Sequence, residues 1–131
     1  MTHRFQCRVY YEDTDLAGIV YYANYLKFIE RARSEWVREL GVDQVRLKAE
    51  HGLVFAVRRV EADYLAPARF DDLLTVETDV AQVTPARLIL DQRVLRAGAV
   101  LFTAGVTVVA LGAAGRPVRL PAEFRQSLQT D

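Results

Sequence analysis

The chain has 131 residues, 51% of them hydrophobic, and sets 17 basic side chains against 17 acidic ones. That length suits a single domain over residues 1–131, able to bury roughly two-thirds of its unfolded surface. The balanced charge offers no field for nucleic acid or an anionic membrane. One cysteine, Cys7, excludes an internal disulfide framework and suits a reducing, cytoplasmic setting.

The opening "MTHRFQCRVYYED" has no apolar core of a signal peptide. Phe5, Cys7, Val9 and Tyr11 alternate with Gln6, Arg8, Tyr10 and Glu12, which predicts a first strand over residues 5–11 with Cys7 as a buried structural thiol. A loop follows from Asp13 to Val20. A helix of about four turns comes next, carrying Tyr25, Phe28, Ile29, Ala32, Trp36 and Leu40 as one apolar stripe. Glu30, Arg31, Arg33, Glu35 and Arg38 fall mostly off that stripe, and Gly41 suits the residue after the helix end. Asp43 can cap a short second helix ending near His51 and Gly52.

From Leu53 the pattern becomes extended. "LVFAVRRVEADYLAPARF", "LLTVETDVAQV", "RLILDQRVLR" and "AVLFTAGVTVVAL" read as four strands, the last two turns falling at Thr84-Pro85 and Ala97-Gly98. No charge occurs between Ala97 and Gly115, a stretch near membrane-span length. Its glycines and β-branched alternation predict instead a strand buried on both faces, without membrane insertion. The residues from Pro121 onward predict a short terminal helix with proline at its first position.

Strands joined by short turns form an antiparallel sheet, and only the long helix is large enough to cover it. The expected architecture is α+β: a five-stranded antiparallel sheet wrapped around one long helix, the hot-dog arrangement. Its edges stay open, and the Val- and Phe-rich stretch from Leu53 to Tyr64 is the expected edge, inviting a second copy to pair along it.

The chemistry concentrates in "YYEDTDLAGIVYYANY". A helix N-terminus presents unpaired backbone N–H groups and partial positive charge, which can hold a carbonyl oxygen as it becomes an oxyanion. Gly18 permits a tight turn that folds Asp15 back beside such a terminus. A carboxylate and an oxyanion site in one loop suit hydrolysis of an activated acyl group, with the carboxylate as base or nucleophile. By spacing alone, capping of a turn is the commoner role for Asp13 or Asp15. The helix start is open between Asn24 as N-cap and a start nearer Tyr22. His3 and His51, the only imidazoles, have no zinc spacing, and His51 suits a cation at a helix end.

"VYYEDTDLAGIVYYANYLKFIERARSEWVRELG", "GLVFAVRRVEADYLAPARFDDLLTVET" and "RPVRLP" together resemble the hydroxybenzoyl-CoA thioesterase family of hot-dog proteins over nearly the whole chain, most closely its YbgC-type branch. The resemblance implies acyl-CoA hydrolysis without metal or other cofactor, with Asp15 catalytic and the Tyr22 backbone N–H polarising the thioester. It also implies pairing of Leu53–Tyr64 with its own copy, a homodimer or homotetramer, and a pocket between subunits. Tyr22 departs from the histidine usual in the YbgC-type branch, which leaves the N–H role intact but removes an imidazole. Where the hydroxybenzoyl branch carries a basic cluster for coenzyme A phosphates this chain reads Thr84-Pro85-Ala86, leaving Arg58, Arg59, Arg69 and Arg87 as phosphate candidates and Tyr25 as a further substrate-binding candidate. Arg58 and Arg59, adjacent on a strand, are expected on opposite faces. Two other readings share the fold. A hydroxyacyl dehydratase needs an imidazole, and none lies in the loop or long helix. A non-catalytic binder of acyl-CoA or acyl carrier protein would leave Asp15 without a role.

Overall fold

The computed structural model describes residues 2–129. Strand β1 (His3–Arg8) leads through a one-turn 3₁₀ helix (Tyr11–Asp13) and a hairpin loop to the long helix α1 (Asn24–Glu39), then the short helix α2 (Gln44–His51). Strands β2 (Val54–Tyr64), β3 (Leu73–Val83), β4 (Leu88–Arg96) and β5 (Ala99–Leu111) follow. The two-residue strand β6 (Pro117–Val118) and helix α3 (Ala122–Gln129) end the described chain.

All pairings are antiparallel, in the order β1-β3-β4-β5-β2, with β6 added beside the end of β5. The sheet thus has six strands where five are expected, the sixth being too short to leave a pattern of alternation. β2 is an edge strand, paired only with β5. One face wraps α1: Leu74, Val76, Leu88, Leu90, Val94, Phe102, Ala104 and Val106 bury against Tyr25, Phe28, Ile29, Ala32 and Trp36. Phe28 and Ala32 have no exposure at all, as the apolar stripe requires. Tyr25 stacks on Phe102 with ring centroids 4.9 Å apart, fastening the first turn of α1 to β5.

Several sequence expectations shift. The first strand ends at Arg8, because the Asp13 carboxylate accepts the Tyr10 N–H (2.8 Å) and draws Tyr11–Asp13 into a tight turn. Asn24 is not a side-chain cap: Ala23 holds the cap position, and the Asn24 amide donates to the Asp13 carbonyl instead. β5 is fully buried only on its α1 face, while Thr103, Thr107 and Val109 on the other face are half-buried. The last helix begins at Ala122, with the Pro121 carbonyl accepting the Arg125 N–H. Asp43 does cap α2, accepting the Arg46 N–H at 3.1 Å, and Gly52 ends it in the left-handed region. Cys7 is half-buried, and burial pushes its thiol up to about 11, so it is not a thiolate at neutral pH.

Where β2 meets β5, the register slips between Val57 and Arg59. This bulge supplies one surplus residue, so Val57 and Val60, three apart rather than two, both face α1 and line one cavity there. Arg58 and Arg59 therefore do not divide between the two faces as simple alternation predicts. No helix among the described residues is long and apolar enough to cross a membrane.

Candidate active site

The loop before α1 is a small hairpin. Thr14 pairs with Val20, the Asp15 N–H donates to the Ile19 carbonyl (2.9 Å), and the Gly18 N–H returns to the Asp15 carbonyl (3.0 Å). Gly18 takes φ +78°, the left-handed conformation that closes the turn. Asp15 Oδ1 accepts the Ala17 N–H at 2.9 Å, the bond by which an aspartate organises its own turn. The turn-cap role is therefore real, and it occupies one carboxylate oxygen. Asp15 is exposed, and its Oδ2 has no partner among the described residues.

Asp13 does different work. It is 6% exposed; its carboxylate takes the Tyr10 N–H, and its carbonyl accepts both the Tyr21 N–H (2.8 Å) and the Asn24 amide (2.9 Å). These bonds dock the hairpin on the start of α1. The Asn24 N–H donates to the Tyr21 carbonyl (2.8 Å), closing the turn through Tyr22 and Ala23. The Tyr22 N–H itself finds no acceptor among the described residues, and it precedes the first turn of a 16-residue helix. The hairpin thus presents a carboxylate oxygen, and the turn that joins it to α1 presents a backbone donor, both unoccupied among the described residues.

Aromatic side chains hold this region. Tyr64, ending β2, donates its hydroxyl to the Tyr22 carbonyl (2.9 Å) and meets the Tyr22 and Tyr25 rings edge-on. The buried Tyr25 hydroxyl accepts the Ala68 N–H (3.1 Å), and desolvation raises its pKa. The Tyr25 hydroxyl is thus committed to the scaffold, and the residue is only 3% exposed. Tyr64 carries no local sequence signature; only its inward register on β2, opposite Phe102, marks it.

Of the arginines considered for phosphate, only Arg69 comes to the hairpin, bridging to Ile19. Arg59 pairs with Glu61 along the β2 edge. Arg87 lies in the turn before β4, whose far end carries Arg96 bonded to Pro67 and Asp72, so within one chain it stands on the order of 25 Å from the hairpin. No group of His, Cys, Asp and Glu that could hold a metal ion occurs among the described residues.

Beyond Tyr22 and Tyr64, α1 and β2 leave an apolar trench along the open edge. An outer cavity of about 390 Å³ lies between Leu26, Ile29, Val57 and Val60. An inner one of about 200 Å³ reaches Trp36, Phe55, Leu90 and Phe124. The two share Glu30, Arg33 and Val57. The sequence reading sets Arg33 with the charges mostly off the apolar stripe; the structure half-buries it against Gln92, a 1% exposed residue on β4.

Residues 9–128 match the family described as the thioesterase-like superfamily. The chain is 46% identical over 123 residues to the acyl-CoA thioesterase YbgC of Haemophilus influenzae, covering 92% of this chain and 90% of that one. The crystal structure of a probable thioesterase from Bartonella henselae superposes with a TM-score of 0.89 at 40% identity, over 92% of this chain and all of that one. A 4-hydroxybenzoyl-CoA thioesterase in complex with 4-hydroxybenzoyl-CoA gives 0.92 at 23% identity over 97% and 98% of the two chains, a likeness of fold alone. By hairpin, fold and matched length together, this chain belongs to the thioesterase-like superfamily of hot-dog proteins, on its YbgC side.

Proposed function

We propose that the protein is an acyl-CoA thioesterase in which Asp15 of the hairpin and the Tyr22 N–H of the turn joining it to α1 act together on the thioester. The observation that carries this reading is the pairing of an unoccupied Asp15 Oδ2 with an unoccupied Tyr22 N–H, each held by its neighbours. The thioester carbonyl would accept the Tyr22 N–H, which gains strength as charge develops on the oxygen. Asp15 then accepts a proton from the attacking water, or attacks the carbonyl carbon itself to form a mixed anhydride that water hydrolyses in a second step. The C–S bond breaks, the coenzyme A thiolate takes up a proton, and the acyl group leaves as a carboxylate. Oδ1 stays bound to Ala17 throughout, which fixes the direction in which Oδ2 points.

Acyl-CoA is the substrate class carried by the named relative, and the cavity between Leu26, Ile29, Val57 and Val60 supports an acyl-chain site beside the hairpin. The open β2 edge, with Leu26, Val57 and Val60 exposed beside it, supports pairing with a second copy along that edge. A panel of acyl-CoA thioesters with a thiol-detecting dye tests the activity. Release of thiol by the wild type and its loss in Asp15→Asn are expected; no release from any thioester would refute the reading. Light scattering at micromolar concentration tests the assembly, and a strictly monomeric mass would refute it.

A further inference from the structure

Arg33 is a partly buried cation that the hydrolytic reading leaves unused. Its Nη1 donates to Gln92 Oε1 at 3.0 Å. The Gln92 amide is committed in turn, donating to the Ile29 carbonyl and to Thr78 Oγ1, each at 3.0 Å, so Arg33 is held by a fixed strut crossing from β3 and β4 to α1. A guanidinium has five N–H donors, and this bond uses one. No carboxylate forms an ion pair with Arg33 among the described residues. Glu30, one turn earlier, accepts from Ser34 (3.3 Å) instead. Desolvation lowers the Arg33 pKa, the Glu30 carboxylate acting the other way, and such a group stays charged at neutral pH.

Buried charge is ordinarily matched by an opposite charge or a full set of hydrogen bonds. Here the match is incomplete, and the open donors belong to a side chain in the wall common to both cavities. Val57, Leu90, Val108 and Trp36 around it offer no oxygen; the side-chain oxygens of this lining belong to Ser34, Gln44 and Glu30, the last exposed and bonded to Ser34. Lys27 also borders the outer cavity, but it is exposed and therefore solvated. Along α1, Arg33 stands about three turns beyond Tyr22, roughly 16 Å by the helical rise, and helical side chains lean back toward the N-terminus. A chain fixed at its thioester by Tyr22 and extended along the trench would end near this guanidinium. An alkyl end would leave the open donors unpaired and dry; a carboxylate would pair with the planar fork through two hydrogen bonds.

We propose that Arg33 reads the far end of the acyl group, so that the trench selects acyl chains terminating in a carboxylate. This rests on the thioesterase reading above and names the substrate class it takes. The test compares suberoyl-CoA with octanoyl-CoA, which have the same number of carbons and differ at the terminal group. Both kcat/KM and calorimetric affinity are measured for wild type, Arg33→Met and Arg33→Lys, with a melting curve for each. The wild type is expected to favour suberoyl-CoA by about tenfold or more, as a charge-assisted pair would confer. Arg33→Met should abolish or invert that preference, and Arg33→Lys, charged but without the fork, should fall between. A wild-type ratio near one overturns the proposal, as does a preference that survives in Arg33→Met. Should Arg33→Met not melt cooperatively, the wild-type ratio and Arg33→Lys decide. Calorimetry reads binding without turnover, so a protein that hydrolyses no thioester of the panel above refutes the hydrolase reading while its binding preference still decides the role of Arg33.

Discussion

The hydroxyl of Tyr64 donates a 2.9 Å hydrogen bond to the carbonyl of Tyr22, joining the last residue of the edge strand to the turn that opens the long helix. The Tyr64 ring also packs against Tyr25 and Phe102, at centroid distances of 5.5 and 5.1 Å. Desolvation raises the Tyr64 pKa, so the phenol remains a donor through neutral pH. Removing this bond alone, as in Tyr64→Phe, should loosen the orientation of the Tyr22 N–H while the aromatic packing survives. The expected result is a fall in kcat of about tenfold with KM nearly unchanged. An unaltered kcat with a lower melting temperature would assign Tyr64 to stability alone.

Asp15 and Asp13 should separate kinetics from thermodynamics. Asp15→Asn keeps the turn bond to Ala17 in reach but removes the charge, and turnover should fall by roughly 10²–10⁴ with little change in stability. Asp13→Asn touches a buried carboxylate bonded to Tyr10, and should destabilise by about 1–3 kcal/mol while the folded fraction keeps its kcat. Steady-state kinetics beside urea unfolding of both variants would reverse these assignments if Asp15→Asn proved active and less stable.

At Gly18 the constraint is conformational rather than steric. Nothing lies within 4 Å of where a Cβ would stand, yet φ is +78°. Asparagine, which tolerates the left-handed region, should be accepted best; alanine should cost about 1 kcal/mol, and the β-branched valine more. Turnover should decline in the same order, because the turn aims Asp15. Wild-type kinetics in Gly18→Val would detach the hairpin geometry from catalysis.

On the sheet face away from α1, Arg93 binds both Glu77 (3.1 Å) and Asp79 (2.6 Å), and Thr2 also donates to Asp79. The hydrogen bond from Arg93, then that from Thr2, holds the Asp79 carboxyl below its ordinary value. A carboxyl depressed in the folded state stabilises above its unfolded pKa of about 3.9, and that contribution disappears as pH falls through the lower folded value. Asp79→Asn should therefore be less stable than wild type at neutral pH, the gap closing only in acid below about pH 4. A gap independent of pH in denaturant titrations would contradict this assignment.

The sequence was most legible where local chemistry decides structure. The bounds expected for the segments Leu73–Val83 and Ala99–Leu111 are those observed, since β-branched runs end at turn residues and the pattern needs no distant partner. The tight turn at Gly18 ahead of the helix was also readable, as was β2 as an edge. Tyr10 and Tyr11 continue an alternating pattern, and nothing local reveals that Asp13 turns back to take the Tyr10 N–H. Gln92 left a trace that could have been followed: it occupies an inward position between Leu90 and Val94. Arg33 left none, because its burial comes from a trench formed by a strand far along the chain.

The bulge at Arg58 works as a phase shifter within β2. Phe55 and Val57 before it, and Val60, Ala62 and Tyr64 after it, share the α1 side only because the surplus residue between the two runs is taken up as a bulge. Flattened into a regular ladder with every residue retained, β2 could keep its pairing with β5 on the Tyr64 side only by swinging Phe55 and Val57 outward. Anchored instead at Phe55, it would turn Tyr64 away from Tyr22. Deleting that single arginine, by contrast, would leave a ladder with no bulge and both runs still inward, so the inner end of the trench and its mouth would keep their side chains together.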